Sequence, residues 1–386
     1  MDCQKQSHVA INAHLLTGQS SYRSAGIAVY ILELLRALAQ SSDGIRCTAL
    51  VGSGTTVTEP GLLIEQARWR THHPLKRLLW EQLVLPGVLQ RIGADVLHAP
   101  AFVGPLLAPC PQVITIHDLS FLRHPEYFRR GRRSYLRLLT PLSCRRAAAV
   151  IAVSHFTASE VTCLLRVPRE QVHVVHNGVH PRFHPLPPAE VAAFRAREGL
   201  PERFILYMGT LEPRKNVAGL VRAFADLRQP DVHLVLAGGR GWLYEDIFAE
   251  VERLGIGDRV HIPGYVSAET QPLWYNAATI FAYLSNYEGF GLPVLEALAC
   301  GTPTLTSDTT ALPEAAGDAA LMAPPDHEAA ITDQLDRLLG DAPLREHLGR
   351  QGLSHAARFT WSHTALSTQR VYCAVLSPTM SSRRDA

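Results

Sequence analysis

Two patterns of apolar and polar residues alternate along this chain. Short β-rich runs occur at Val9–Ala13, Cys47–Val51, Asp95–His98, Val113–His117, Val150–Val153 and Val172–Val175. Between several of them the apolar residues return every three or four positions. Ile27, Ile31, Leu34, Leu35 and Leu38 do so across 27–39, which puts them on one face of a helix. Pro181–Pro188 holds four prolines and reads as a linker. The alternation then restarts, with strands expected at Phe204–Met208, Val232–Ala237, Val260–Ile262, Ile280–Tyr283 and Thr304–Thr306. After Pro324–Pro325 the pattern is helical to about Leu376, followed by a tail rich in Ser and Arg that reads as disordered. Short strands alternating with amphipathic helices build parallel sheets covered by helices. The expectation is an α/β chain of two Rossmann-like domains facing across a cleft. They span 1–185 and 186–360, with a C-terminal helix and tail at 361–386 returning toward the first domain. A length of 386 residues suits two domains at roughly 100–200 residues each.

The residues that are unusual for a core gather where the strands end. Gly26 opens the first long helix, and His117-Asp118 and Ser154 each follow a strand. In the second half the strand ends carry Gly209–Asn216, Gly238–Gly241, Gly264–Ser267 and Glu288–Glu296. Open α/β sheets bind ligands beyond the carboxyl ends of their strands.

Two of these segments carry chemistry. In Glu288-Gly-Phe-Gly-Leu-Pro-Val-Leu-Glu296, Gly289 and Gly291 let the backbone approach a ligand closely, and Pro293 suits the first turn of a helix. The amides of such a helix start favour an anion, and the flanking carboxylates accept hydrogen bonds from sugar hydroxyls. In Met208-Gly-Thr-Leu-Glu-Pro-Arg-Lys-Asn216, two cations stand at a helix start that Asn216 is placed to cap. Arg forks onto phosphate oxygens and Lys binds them as a point charge.

Composition narrows the partners. Apolar residues make 47 % of the chain, charged residues 19 %, and the net charge is +2, which gives no ground for a nucleic-acid partner. The seven cysteines are scattered without a CxxC pair, as free thiols in a reducing compartment are. The first eight residues are polar and no apolar run reaches the ~18 residues of a spanning helix, so the chain reads as cytoplasmic, with any membrane contact peripheral and on the inner face. One local excess of charge stands out. Between Tyr127 and Arg146 lie Arg129, Arg130, Arg132, Arg133, Arg137, Arg145 and Arg146, interleaved with leucines. It is either a helix with a solvated basic face or a surface for anionic lipid or a lipid-diphosphate acceptor. His173, His176, His180 and His184 have suggestive spacing, but a strand and an Asn-Gly turn keep them off one helical face, so no metal site is expected.

These motifs resemble those of retaining glycosyltransferases of family four, the group with the GT-B fold that contains glycogen synthases and bacterial mannosyltransferases. The resemblance rests on Glu288 and Glu296 with seven residues between them, on the loop closing in Arg214-Lys215-Asn216, and on Gly26. Ser307–Glu314, Gly317–Ala320, His117–Leu119 and Asn177–Val179 also fit, so it spans about Asn12 to Phe359. Asn12–Leu16 and Ala25–Ile27 are similar to bacterial mannosyl- and rhamnosyltransferases of surface polysaccharide assembly. The resemblance implies a nucleotide-sugar donor and a glycan or lipid-linked acceptor. Arg214 and Lys215 would bind and stabilise the departing diphosphate, and Glu296 would hold the ribose hydroxyls. Glu288 would contact the donor sugar, with the amides of Gly289, Phe290, Gly291 and Leu292 reaching sugar and phosphate. Gly26 and Gly209 would let backbone close on the donor, and amides and main-chain groups near Tyr265 and Val266 would face the base. His117 would sit near sugar and acceptor, with Asp118 and Ser154 on the acceptor side. It further implies retention, with the departing phosphate as base or, alternatively, a covalent route through Glu288. Fixed cations stabilise a leaving diphosphate without metal, and no D-x-D element stands at a strand end, so no cofactor is expected. A nucleotide-sugar epimerase and a non-catalytic nucleotide-sugar-binding partner are the competing readings on the same fold.

Overall fold

The computed structural model describes residues 6–16, 25–41, 44–55, 59–69, 74–128 and 130–377. The chain forms two compact units, Met1–Gly178 with Trp361–Ala386, and Val179–Thr360. The first boundary therefore falls at Gly178 and not at 185, and the last helix counts with the first unit. The reason is local. Val179 N donates to Phe359 O at 2.9 Å, so the chain enters and leaves the second unit at neighbouring positions. Nor is Pro181–Pro188 a free linker. Leu186 N donates to Asn276 Oδ1 and Asn276 Nδ2 to His184 O, which pins it to the helix Gln271–Ala277. The tail after 377 and Arg129 lie outside the described residues.

The first unit is built on seven strands, β1 (Ser7–Asn12), β2 (Ile45–Val51), β3 (Leu63–Gln66), β4 (Val96–Ala99), β5 (Gln112–Ile116), β6 (Ala149–Ala152) and β7 (Val172–Val174). They pair in parallel in the order β3-β2-β1-β4-β5-β6-β7, with Val9 opposite both Cys47 and Val96. Helix Ala25–Gln40 buries Ile31, Leu34, Leu35 and Leu38 on the sheet, and Trp361, Tyr372 and Val375 of the final helix Trp361–Leu376 join the same core. Tyr372 OH and His98 Nδ1 meet at 2.7 Å, a buried polar clasp that fixes this helix to β4.

The second unit holds β8 (Phe204–Met208), β9 (His233–Ala237), β10 (Val260–Gly264), β11 (Ile280–Tyr283), β12 (Thr304–Ser307) and β13 (Leu321–Ala323), in the parallel order β10-β9-β8-β11-β12-β13. All five residues of β8 are buried, as a parallel strand covered on both faces requires. In each sheet the strand order reverses once, between β1 and β4 and between β8 and β11. Such switch points open crevices beyond the strand ends, where ligands of open α/β sheets bind.

Candidate active site

The switch point of the second unit brings the two motif segments together. After β8 the chain turns at Gly209 and runs to a short turn, Pro213–Lys215; after β11 it runs through Ser285 to Glu288. Asn286 N and Ser285 Oγ both donate to Arg214 O, at 2.9 and 3.1 Å, which ties the loops by backbone. Lys215 Nζ then reaches Glu288 Oε1 at 2.5 Å and Tyr283 OH at 2.6 Å, and the Tyr283 hydroxyl lies 2.9 Å from the same carboxylate oxygen. Arg214 Nη1 donates to Tyr287 O at 2.7 Å and to Glu288 Oε2 at 3.2 Å, and its Nη2 to Glu212 Oε1 at 3.0 Å. Glu288 N donates to Thr310 Oγ1.

This is a largely buried network of two cations and two carboxylates, with Glu288 the most buried of the four. Burial alone would raise the Glu288 carboxyl, but Lys215 and Arg214 outweigh it and hold it down at about 2. Burial and the neighbouring Arg214 pull the Lys215 ammonium below its usual value, against the attraction of Glu288. Glu288 is therefore an anion at any working pH. The ammonium has three hydrogens and spends two on Tyr283 and Glu288, which leaves one to donate.

The glycine loop continues from Glu288. Gly291 adopts φ 112°, and a Cβ there would lie 2.7 Å from Leu312 Cδ2, so the turn into helix Leu292–Ala299 needs glycine. Phe290 is buried, which fixes the loop from within, and Pro293 stands in the helix's first turn as its sequence implies. Glu296 lies one turn on. Its Oε2 accepts from Tyr275 OH at 2.9 Å, and burial pushes its carboxyl up to about 7, against that bond and the charge of Arg182. Two glutamates on one loop-helix segment are thus shifted in opposite directions because, among the described residues, only Glu288 has cations within hydrogen-bond reach.

Not every expectation is met. Asn216 stands at the N-cap position of helix Val217–Ala225, but at φ 53° its side chain makes no cap bond. Its Nδ2 donates instead to Pro325 O at 2.6 Å, in space that Gly219 leaves open. Tyr265, just after β10, is exposed and Val266 is buried. Glu212, Tyr283, Ser285 and Thr310 are network members the sequence did not single out. Tyr283 gives the clearest missed signal, a hydroxyl closing an otherwise apolar strand beside a motif rich in charge.

In the first unit, His117 follows β5. Its Nε2 lies 2.7 Å from Pro100 O, Tyr30 meets its ring edge-on at 4.7 Å between centroids, and burial lowers its pKa. Asp118 Oδ1 accepts from Ser120 N and Ser120 Oγ, and Ser154 Oγ accepts from Thr157 N, so both side chains have structural employment at helix starts. Gly26 is exposed on the first turn of its helix, and a Cβ there would meet nothing within 4 Å. The packing of the described residues does not demand glycine at that position. Of the four histidines, His180 Nδ1 accepts from Arg182 N and His184 Nδ1 contacts Pro181 O, each within its own turn.

Comparison with known proteins bears on this arrangement. The family described as Glycosyltransferase Family 4 matches residues 24–183, and that described as Glycosyl transferases group 1 matches residues 191–355. Among curated proteins, the O-antigen chain mannosyltransferase B of Escherichia coli is 34 % identical over 81 % of this chain and 80 % of its own. Among solved structures, the fold is similar to that of sucrose-phosphate synthase from Thermosynechococcus elongatus, with TM-score 0.77, 22 % identity and coverage of 96 % and 99 % of the two chains. It is also similar to the Anabaena protein HepE, solved in complex with UDP and glucose, with TM-score 0.74, 17 % identity and coverage of 95 % and 99 %.

Proposed function

This chain belongs to the family-four glycosyltransferases and is a hexosyltransferase, and from that premise we propose that it moves a hexose, mannose first among them, from a nucleoside-diphosphate sugar to a glycan hydroxyl with retention. The observation that carries this reading is the Lys215–Glu288–Arg214 network at the switch point. Transfer breaks the bond between the anomeric carbon and the diphosphate and forms one to the acceptor oxygen, whose proton passes to the departing phosphate. Negative charge grows on the leaving group, and preorganised cations are worth most there. Lys215 and Arg214 supply them, Glu288 holds the sugar ring, Glu296 the ribose hydroxyls, and the turn Gly289–Leu292 supplies amides. Gly26 and Gly209 leave room for the donor, with main-chain groups near Tyr265 and Val266 toward its base. His117, Asp118 and Ser154 stay on the acceptor side.

The test is incubation of the full chain with labelled nucleoside-diphosphate hexoses and lipid-linked or free glycan acceptors, with and without EDTA. The expected outcome is incorporation, a product anomer matching the donor, and unchanged rates in EDTA. Donor isomerisation or binding without turnover would overturn transfer, and loss in EDTA restored by Mg²⁺ or Mn²⁺ would overturn metal independence.

Glu296 makes a second expectation quantitative. A carboxylate accepts both ribose hydroxyls only when ionised, and its raised pKa of about 7 leaves it mostly protonated at pH 6. Donor affinity should therefore rise with pH through 7, by up to about tenfold between pH 6 and 8. Glu296→Gln should flatten that dependence and act on KM more than on kcat, since ribose contacts change little at the transition state. Calorimetric titration with a nucleotide sugar at both pH values checks it, and a slope that survives in the variant would place the titrating group elsewhere.

The arginine helix supports peripheral membrane contact as part of the same reading. No helix among the described residues is long and apolar enough to cross a membrane. On Arg130–Arg146, Arg130, Arg132 and Arg137 are exposed beside exposed Leu138 and Leu142, while Leu136, Thr140 and Cys144 face inward. Arg145 and Arg146 are also exposed, but each donates to a backbone carbonyl, of Leu165 and Leu106. Three engaged arginines at about 1 kcal/mol each shift partitioning onto anionic lipid about a hundredfold. Co-sedimentation should then favour anionic over neutral vesicles and weaken with salt. Equal, negligible binding to both at low salt would leave the helix a solvated face.

A further inference from the structure

The first unit has a switch point of its own, between β1 and β4, and a buried carboxylate stands there that the reaction described above does not use. Asn12 is the last residue of β1. Beside it passes a five-residue π-helical turn, Trp80–Val84, set between helices Pro74–Leu79 and Leu85–Ile92. Such turns are rare and collect at functional sites. This one buries Trp80 and Glu81 in succession, and leaves Glu81 only 7 % exposed.

Glu81 is poorly matched by its own protein. Oε1 accepts from Asn12 Nδ2 at 3.1 Å, and Arg77 Nε stands 3.9 Å away, at the limit of an ion pair. Oε2 has no hydrogen-bond partner among the described residues. Asn12 Oδ1 accepts from His14 N at 3.4 Å, which orients the amide and leaves its second N–H to donate. Arg77 and Glu81 both act electrostatically on Tyr135, which sets the helix Arg130–Arg146 near this pair. A buried carboxylate without full pairing costs several kcal/mol, and an apolar side chain would pack there at lower cost. A carboxylate oxygen and an amide hydrogen that make no hydrogen bond among the described residues, on two side chains joined at 3.1 Å, are the complement of two adjacent hydroxyls, one donating and one accepting.

We propose that Asn12 and Glu81 form an acceptor-sugar subsite in the first unit, holding a vicinal hydroxyl pair of the terminal hexose of a glycan acceptor. This rests on the transferase reading for its meaning, but its test needs neither donor nor turnover, so the two can fail separately. Saturation-transfer NMR on the full chain, with methyl α-mannoside, rhamnoside, glucoside and galactoside as probes, should give a signal from at least one of them. Glu81→Gln removes the acceptor oxygen's charge at constant shape and should reduce that signal at least about fivefold, with the melting temperature recorded alongside. Glu288→Gln should leave it in place. If Glu81→Gln fails to fold, Glu81→Asp keeps the charge and withdraws it by one methylene, and should show the same loss. The proposal is overturned if no probe gives a signal, if the signal disappears only in Glu288→Gln, or if Glu81 variants lower the melting temperature with the signal unchanged.

Discussion

Lys215→Ala is expected to lower turnover by about 10²–10³-fold, the usual effect of removing one preorganised group that meets developing charge. The structure adds a complication that sharpens the test. Lys215 is also the nearest partner of Glu288, at 2.5 Å, so its loss leaves a buried carboxylate with the Tyr283 hydroxyl and one remaining cation, Arg214, among its described partners. Breaking a buried pair from one side is destabilising by about 3–5 kcal/mol. Activity and stability are therefore expected to fall together in the single variant. The double variant Lys215→Ala with Glu288→Gln separates them, because the amide no longer needs the cation. Its melting temperature should recover toward that of the parent while its turnover stays low. A near-parental kcat in Lys215→Ala, with the donor confirmed, would remove Lys215 from the diphosphate. Recovery of turnover in the double variant would reduce its role to holding Glu288.

The parts of this site that could be read in the sequence are those that depend on local chain chemistry. Gly291 and Pro293 announce a tight turn into a helix because only certain residues tolerate those backbone angles, and the helix begins there. Strands β8 and β11 were legible as continuous apolar runs because parallel strands are buried on both faces. β3 was missed because it lies at the sheet edge with Leu63 and Ile64 exposed, and β13 because three residues are too few to carry a period. Arg214, Lys215 and Glu288 were singled out as charges, but their mutual pairing was not, since it depends on two loops more than seventy positions apart. The pairing of Glu81 with Asn12 was hidden for the same reason. A carboxylate in a helical stretch looks like a solvated face until the fold shows it turned inward. The raised carboxyl of Glu296 is likewise a tertiary property, set by burial beside Tyr275 with no lysine in reach among the described residues.

Gly238→Ala tests the strand-end geometry on which the site stands, and it is expected to destabilise the second unit by about 3 kcal/mol, the upper part of the range for overpacking. Gly209 and Gly238 end the neighbouring strands β8 and β9, where Gly209 N donates to Ala237 O and Gly238 N to Gly264 O. A Cβ on Gly238 would lie 1.8 Å from Gly209 O and 2.6 Å from Gly209 C. Those are backbone atoms held by the sheet and cannot swing aside as a side-chain end would. Gly238 also sits at φ 152°, where an added side chain is strained in any surroundings. The carbonyl that must move begins the loop carrying Arg214 and Lys215, so turnover should fall further than the unfolded fraction explains. Gly257→Ala is the control, because a Cβ there meets nothing within 4 Å and the residue is absent from the positive-φ glycines; it should change stability by no more than about 0.5 kcal/mol. Denaturant midpoints measured for parent and both variants under one set of conditions decide the matter. A Gly238→Ala protein with parental midpoint and parental turnover would mean that the two strand ends do not approach as closely as this, and that the loop bearing the cations is not fixed from beneath by glycine.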